Sequence, residues 1–357
     1  MGRRLTCLAL AAMLAACAAN QPASTMDVGP TPVPGTASPT GTLTPTATAT
    51  PAVISIEGAW IAYQALFGGA TDLGLVRSDG SDSHRIPGGP GNRWHPDWSP
   101  DGRWIAYDHD LPTDVDEIWM VAVDGSEERA LTDCIGPCFG HQGAAWSPDG
   151  RWVAFDSADG PTDEYPDGLC YVGQVEIKSG EVSRLLEFPG CSGAGEDGEL
   201  QEVMFVRWSP DGERLVGQGV GSDGQLAIFI VTIEGQRLTQ LTDWGLGARP
   251  DWSPDGEWIV FQSLQPEEHP AEPISLHRIR PDGSGLEQLT DPAGTAVDLY
   301  PRYTPDGAGI LFSRCPGAGA ADCEARMLAA DGSDDRLLFA GYGDHAVHVI
   351  MRPAGEE

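Results

Sequence analysis

One ten-residue pattern recurs along this chain and constrains its fold more than any other feature. It reads Trp-Ser-Pro-Asp-Gly-Arg-Trp-Ile-Ala-Tyr at 98–107, and close or looser copies begin at Trp146, Trp208, Trp252 and Tyr303. The proline presets one corner of a tight turn, the aspartate tolerates the next, and the glycine takes a positive φ. Each copy therefore predicts a β-hairpin. Its return every 44 to 62 residues predicts a repeated β-sheet unit.

The repeated unit is a four-stranded sheet, which cannot bury both of its faces alone, so the units have to pack around a ring. Leu-Thr-Asp segments recur in the fourth strands, at 131–133, 241–243 and 289–291. This combination resembles the TolB-like, WD-repeat-related β-propellers over residues 58 to 352. The resemblance and the repeat count imply an all-β, six-bladed β-propeller of four-stranded antiparallel blades. We expect blades two to six near 93–133, 142–188, 203–243, 248–291 and 299–339.

The first blade departs from the pattern. Residues 58–63 match a second strand, 72–77 a third and 83–86 a fourth. Its inner strand has two candidates, 53–56 and 344–350, and the second aligns with the start of blade six. We therefore expect the ring to be closed by a C-terminal strand.

The first 16 residues are typical of a secretory signal, because Arg3 and Arg4 precede an apolar run. This run ends in Leu-Ala-Ala-Cys17, which resembles the lipobox of bacterial lipoproteins. The resemblance implies cleavage before Cys17 and lipidation of its thiol, and an ordinary signal peptide is the alternative. Residues 17–52 are rich in Pro, Thr and Ala and almost uncharged, which predicts an extended tether. We expect a protein anchored to the bacterial membrane, at the cell surface or in the periplasm.

The propeller, residues 53–357, is strongly acidic. The chain has 21 Lys and Arg against 53 Asp and Glu, a formal net charge of −32. Such a surface repels nucleic acid and anionic membrane surfaces. We therefore expect no nucleic-acid partner and no membrane contact except the lipid anchor. An envelope protein, peptide or glycan is the expected partner.

The cysteines predict disulfides. With Cys7 in the signal and Cys17 lipidated, six cysteines remain. The economical pairs are Cys134–Cys138, Cys170–Cys191 and Cys315–Cys323. Each pair closes a loop that lacks a core of its own, and export to an oxidising compartment favours such bonds. A zinc site is the alternative at Cys134 and Cys138, but no second Cys/His pair lies at a matching spacing.

The sequence favours a non-catalytic binding or scaffold module without a cofactor. Gly190-Cys-Ser begins like the nucleophile elbow of a serine peptidase, but Ala194 replaces its closing glycine. Only 18 residues follow Phe339, so we expect no appended catalytic domain. We expect polar residues at the starts of the inner strands to bind the ligand at the mouth of the channel. These candidates are Arg93, Trp94, His95, His141, Arg249, Asp298, Tyr300, Asp344 and His345.

Two alternatives concern metal ions. The channel-mouth histidines could bind a divalent metal in a lyase or hydrolase acting on acidic sugars, or could only hydrogen-bond between blades. Asp108 and Asp156 begin two acidic loops, which we interpret as a solvated rim, with calcium binding as the alternative. One step further along the inner strands, five aligned residues alternate in charge, which predicts ion pairs between blades. These residues are Asp97, Arg207, Asp251, Arg302 and His348.

Overall fold

The computed structural model describes residues 58–67, 69–110, 115–134, 136, 138–191, 199–234, 236–264, 273–317, 322–340 and 349–353. The chain divides into two compact units, Met1–Val53 and Ile54–Glu357, and every described residue belongs to the second. The predicted signal segment, Cys17 and the tether lie outside the described residues, as do Asp344, His345 and His348.

The described part consists of β-strands joined by turns and contains no helix. In the first half the strands are β1 (Trp60–Phe67), β2 (Ala70–Arg77), β3 (His84–Arg85), β4 (Asn92–Trp98), β5 (Trp104–Asp110), β6 (Asp116–Ala122), β7 (Glu128–Ala130), β8 (Cys138–Trp146), β9 (Trp152–Asp159), β10 (Leu169–Glu176), β11 (Val182–Pro189) and β12 (Leu200–Trp208). In the second half they are β13 (Arg214–Gly221), β14 (Leu226–Thr232), β15 (Arg237–Gln240), β16 (Ala248–Trp252), β17 (Ile259–Gln262), β18 (Leu276–Ile279), β19 (Glu287–Gln288), β20 (Val297–Tyr303), β21 (Gly309–Cys315), β22 (Glu324–Ala329), β23 (Arg336–Ala340) and β24 (Val349–Met351). No helix in this part of the chain is long and apolar enough to cross a membrane.

The strands pair with their sequence neighbours to form antiparallel sheets. Four sheets have four strands each, in the orders β24-β1-β2-β3, β12-β13-β14-β15, β16-β17-β18-β19 and β20-β21-β22-β23. The fifth has eight strands, because a single parallel bridge between Asp116 and Gly140 joins the group β4 to β7 to the group β8 to β11. The C-terminal strand β24 pairs with β1, so the two ends of the described chain share a sheet.

The recurring turns are closed by one set of hydrogen bonds. In the first turn the Gly102 amide donates to the Ser99 carbonyl at 2.8 Å. The Ser99 hydroxyl accepts from the Trp104 amide at 2.9 Å and donates to Asp101 at 2.6 Å. The same bonds recur in the turns that begin at Ser147, Ser209, Ser253 and Thr304. The hairpins predicted from the repeated pattern are therefore formed.

The apolar core lies between successive four-stranded groups rather than within any one of them. Ile105 and Tyr107 of β5, for example, pack with Leu73 and Leu75 of β2. Another cluster joins Leu311 and Met327 of β21 and β22 to Ile61 and Tyr63 of β1. Each group therefore depends on its neighbours for burial, as expected of a repeated unit that cannot hide both faces.

The structure forms the three disulfides expected from the sequence. They join Cys134 to Cys138, Cys170 to Cys191 and Cys315 to Cys323. The third is buried, whereas both cysteines of the first are partly exposed.

Candidate functional site

A β-bulge interrupts each of the strands β4, β8, β12, β16 and β20 just before the recurring turn. At each bulge, the residue three positions before the aromatic residue that begins the recurring pattern has a positive φ. These residues are His95 (49°), Gly143 (72°), Phe205 (51°), Arg249 (54°) and Tyr300 (56°). For an L-residue this left-handed conformation costs about 1–2 kcal/mol, and bulges commonly re-aim a side chain. Strain repeated at equivalent positions points to a functional surface.

The strained backbone is held by side chains from the preceding four-stranded group. Each bulge amide donates to a side-chain oxygen that lies on the second strand of that group. The acceptors for the five bulges, in chain order, are Gln64 (3.0 Å), Asp108 (2.9 Å), Asp156 (2.8 Å), Gln218 (3.1 Å) and Gln262 (2.9 Å). These bonds satisfy the buried donors that the bulges remove from the strand ladders.

Four bulge side chains meet, and we name His95, Phe205, Arg249 and Tyr300 the bulge cluster. The Arg249 guanidinium carbon lies 3.4 Å from the centroid of the Phe205 ring and 5.2 Å from that of Tyr300. Its Nη1 atom is 3.3 Å from His95 Nε2. The His95 ring packs edge-on against Phe205, with ring centroids 5.0 Å apart. The fifth bulge residue, Gly143, brings no side chain.

Asp108 fixes the tautomer of His95. The Asp108 carboxylate is 2% exposed and accepts from the amides of Gly143 and Ala144. It also lies 2.6 Å from His95 Nδ1, so Nδ1 carries the proton and Nε2 accepts from Arg249. Burial lowers the pKa of His95 although Asp108 acts in the opposite direction, so the imidazole is neutral at pH 7.

Among the described residues, Arg249 has no close counter-ion. In the part of the chain that the structure describes, its guanidinium forms no ion pair with a carboxylate. Burial lowers its pKa, while Tyr300, Asp156 and Asp108 oppose that shift from a distance. Burial also raises the pKa of Asp156 well above its usual range, which weakens one of these compensating charges. A half-buried guanidinium in this state favours an incoming anion.

A second layer of charges lies two residues nearer the turns. Arg302 forms ion pairs with Asp97 and, at 3.9 Å, with Asp251. Arg207 instead donates to backbone carbonyls, including that of Val206 at 2.8 Å. The ion pairing predicted from the alternating charges is therefore confirmed for Asp97, Asp251 and Arg302.

Three of the nine predicted ligand-binding residues, His95, Arg249 and Tyr300, belong to the bulge cluster. Arg93 is fully buried and bonds to Asp72 and to the Ile86 carbonyl. Asp298 is also fully buried and accepts two bonds from Arg314, at 2.6 and 2.7 Å. Trp94 is half-buried in β4, and His141 is buried beside Cys138. Asp344 and His345 lie outside the described residues.

The expectation of a solvated rim was wrong for Asp108 and Asp156, which are 2% and 7% exposed. Both are buried because they accept bulge amides of the next group. A signal for this role exists in the sequence, since both align with Gln64, Gln218 and Gln262. Phe205 was also missed, although it aligns with His95, Arg249 and Tyr300.

The described residues of the bulge cluster do not fit a divalent metal ion. Both ring nitrogens of His95 are engaged, and the Arg249 charge next to Nε2 disfavours a second cation. Among described residues, the grouping with metal-ligand spacing is Cys134, Cys138 and His141.

Comparison with known proteins defines the relatives of this chain. No family model matches it. The uncharacterised protein Atu1656 of Agrobacterium fabrum is 32% identical over 255 residues, which cover 70% of this chain and 76% of that protein. The peptidase YuxL of Bacillus subtilis is 30% identical over 139 residues, and only 21% of its length is covered.

Solved structures show a TolB-like propeller fold. TolB from Acinetobacter baumannii matches with a TM-score of 0.65 and 18% identity, over 84% of this chain and 68% of that one. The putative TolB from Agrobacterium tumefaciens matches with a TM-score of 0.56 and 20% identity, over 83% and 99%. An oligogalacturonate lyase in complex with manganese matches with a TM-score of 0.50 and 15% identity, over 83% and 87%.

Proposed function

We propose, from the premise that this chain belongs to the family of Atu1656 and has a TolB-like propeller fold, that it is a non-catalytic binding module. Its ligand is a protein, peptide or glycan that presents a carboxylate to the bulge cluster. The observation that carries this proposal is Arg249, a half-buried cation that contacts two aromatic rings and has no close counter-ion among the described residues.

The chemistry of the cluster suits such a ligand. A guanidinium offers paired donors that match the two oxygens of a carboxylate. The Arg249 guanidinium also makes cation–π contacts with the rings of Phe205 and Tyr300, which help to hold it in place. When Arg249 turns its donors to the carboxylate, His95 Nε2 is released from Arg249 and accepts from a hydroxyl or amide next to that carboxylate.

A closed ring of six blades would surround this cluster. In support of it, β24 pairs with β1, and the Trp98 indole donates to the Ile350 carbonyl at 3.0 Å. The apolar cluster between β21, β22 and β1 joins the last group to the first. Closure would bring bulge residues from different blades around one axis, as the contact between His95 and Arg249 requires.

The binding module would work outside the cytoplasm on a lipid anchor at Cys17. Three disulfides support an oxidising compartment, and the sequence before Cys17 resembles a lipobox. Expression of the full chain with radiolabelled fatty acid tests the anchor. Label is expected in the parent chain and absent after Cys17→Ala, and equal labelling of both would contradict the anchor.

The binding proposal is tested by titrating the full chain with two ligand sets. One set is acidic against reduced, neutral oligosaccharides, and the other is peptides with a free against an amidated C-terminus. Only carboxylate-bearing members are expected to bind, and Arg249→Met is expected to weaken binding at least about 30-fold, a loss of about 2 kcal/mol. Arg249→Lys keeps the charge and loses the paired donors, so an intermediate affinity is expected.

Arg280→Met is the matched control, because Arg280 also lies over a ring, that of Trp258 at 4.3 Å, but on the exposed surface. It should bind like the parent. Binding that survives Arg249→Met, or that ignores the carboxylate, would rule out this role of the bulge cluster.

A second candidate function is favoured by the bond between His95 and Asp108. A neutral imidazole whose Nδ1–H is held by a carboxylate is the usual arrangement of a general base. With Arg249 turned to the carboxylate of a uronic acid, the released Nε2 would take the C5 proton. The C4–oxygen bond would then break, leaving a C4–C5 double bond, and the leaving oxygen would take a proton from water. Acidic polysaccharide incubated with the full chain would then gain the ultraviolet absorbance of an unsaturated product, and His95→Gln would abolish it. No absorbance with the parent chain leaves the binding module.

A further inference from the structure

His141 and the partly exposed disulfide form a group of potential metal ligands outside the bulge cluster. His141 lies on β8, and Cys138 begins the same strand. The sulfur atoms of Cys134 and Cys138 and a ring nitrogen of His141 all lie within 4.8 Å of one another. The histidine thus supplies the third ligand that cysteine spacing alone did not reveal.

His141 has no strong hydrogen-bond partner in the described structure. The residue is 5% exposed, and its Nδ1 atom is buried without a partner. Its Nε2 atom has only two long contacts, with Tyr171 Oη at 3.4 Å and Cys138 Sγ at 3.6 Å. A sulfur in a disulfide carries no hydrogen, so only the histidine could donate in the second contact, and sulfur is a weak acceptor. Because Nε2 makes no short hydrogen bond and faces Cys138, it is the ring nitrogen available to a metal ion.

The distances suit zinc once the disulfide is reduced. Tetrahedral zinc with Zn–S near 2.3 Å and Zn–N near 2.0 Å holds sulfur and nitrogen about 3.5 Å apart. The Cys138–His141 separation is 3.6 Å, so these two ligands are already in place. The two sulfurs need to separate to about 3.8 Å, and a spacer of three residues permits this motion.

The other two disulfides each have at least one buried cysteine. Cys315 and Cys323 are 1% and 2% exposed, and Cys170 is 5% exposed although its partner Cys191 is partly exposed. Cys134 and Cys138 are both partly exposed, so a reductant reaches them most easily.

We propose that reduction of the Cys134–Cys138 disulfide creates a zinc site made of both cysteines and His141. A dithiol reductant gives two electrons and two protons to the disulfide and becomes a disulfide itself, leaving two thiols. Zn²⁺ then displaces the two thiol protons and bonds to both sulfurs and to His141 Nε2. A water takes the fourth position, on the exposed side of the cysteines.

Cobalt(II) is the probe, because thiolate ligands give it a sulfur-to-metal charge-transfer band and tetrahedral geometry gives it visible bands. The full chain is purified in detergent with Cys7→Ser and Cys17→Ser, and is reduced with a phosphine until alkylation counts two free thiols. The reduced protein is expected to bind one Co²⁺ with both sets of bands, and one equivalent of Zn²⁺ is expected to remove them. The oxidised protein is expected to stay colourless.

His141→Gln is expected to weaken cobalt binding at least about ten-fold, since a lost ligand costs more than a lost orienting contact. His277→Gln is the matched control, because His277 is a half-buried strand histidine stacked on Phe261. Circular dichroism of each variant shows that it is folded. No band after reduction, a band that survives Cys134→Ser with Cys138→Ser, or equal affinity in His141→Gln would each overturn the proposal.

Discussion

The four residues of the bulge cluster have a positive φ, a backbone conformation that costs free energy. At Tyr300, with φ of 56°, both tyrosine and alanine bear this cost, whereas glycine does not. We therefore expect Tyr300→Gly to be more stable than Tyr300→Ala by about 1 kcal/mol in urea unfolding. At Val203, an ordinary residue of the same type of inner strand, the order should reverse. Equal stability of the two Tyr300 variants would mean that the bulge is relaxed in solution.

His141 is expected to make stability depend on pH. Burial lowers its pKa from 6.5 to about 4, so between these values the unfolded chain binds a proton that the folded chain does not. The stability contributed by the neutral His141 imidazole is complete above pH 6.5 and is lost as the pH falls from 6.5 through 4. The shift corresponds to at most about 3 kcal/mol. His141→Gln should flatten the rise of unfolding free energy between pH 4.5 and 6.5.

Asp116 provides a control of opposite sign. Burial raises its pKa from 3.8 to about 6, although Gln142 donates to it. Between pH 3.8 and 6 the folded chain therefore binds a proton that the unfolded chain does not. The stability that this proton contributes is lost as the pH rises through 6. Asp116→Asn should steepen the same rise. Parallel pH profiles for the His141→Gln variant and the parent would contradict the assignment of His141.

At the scale of the strand, the side chains that accept a hydrogen bond from a bulge amide are expected to contribute to both stability and ligand binding. Gln262→Ala leaves the Tyr300 amide without its 2.9 Å acceptor, which should cost about 1–2 kcal/mol. It should also weaken the ligand binding proposed for the bulge cluster, because Tyr300 loses its fixed direction. Gln262→Glu keeps an acceptor, as Asp108 and Asp156 do in other groups, and should retain most of both. A binding loss without a stability loss would show that Gln262 acts on the ligand directly.

The hairpins could be predicted from the sequence because their signal is local. Pro, Asp and Gly occupy fixed places in each turn, and Ser99 and its equivalents close it within six residues. The disulfides followed from the same reasoning about loops. Local reasoning missed the side chains that accept from the bulge amides, because the acceptor is Gln in some groups and Asp in others and acts on the next group. The positive φ values of His95 and Arg249 could not be predicted either, because no glycine occupies these positions.

Contacts between different strands explain why only some of the predicted ligand-binding residues belong to the bulge cluster. Arg93 and Asp298 begin inner strands as His95 and Tyr300 do, yet they find ion-pair partners inside the protein. Arg93 pairs with Asp72 of the preceding four-stranded group, and Asp298 pairs with Arg314 on the adjacent strand of its own group. A pattern read along one inner strand does not contain these partners.

The junction of the two chain ends gives the last prediction. Val349, Ile350 and Met351 are buried in β24, and burial of three such side chains contributes about 5 kcal/mol or more. Their loss would also remove the acceptor of the Trp98 indole. Deleting residues 349–357 should therefore lower the Tm by about 10 °C or more. It should also broaden the unfolding transition, because the groups that pack against β24 lose that contact.

Deleting only 354–357 is the matched truncation and should melt like the parent chain. A synthetic peptide of residues 344–357, added to the longer deletion, should restore part of the lost Tm by pairing with β1. If the deletion of 349–357 melted like the parent, β24 would be dispensable and the proposed closed ring would lose its main support. Partial rescue by the peptide would instead show that closure depends on the strand itself and not on its covalent connection.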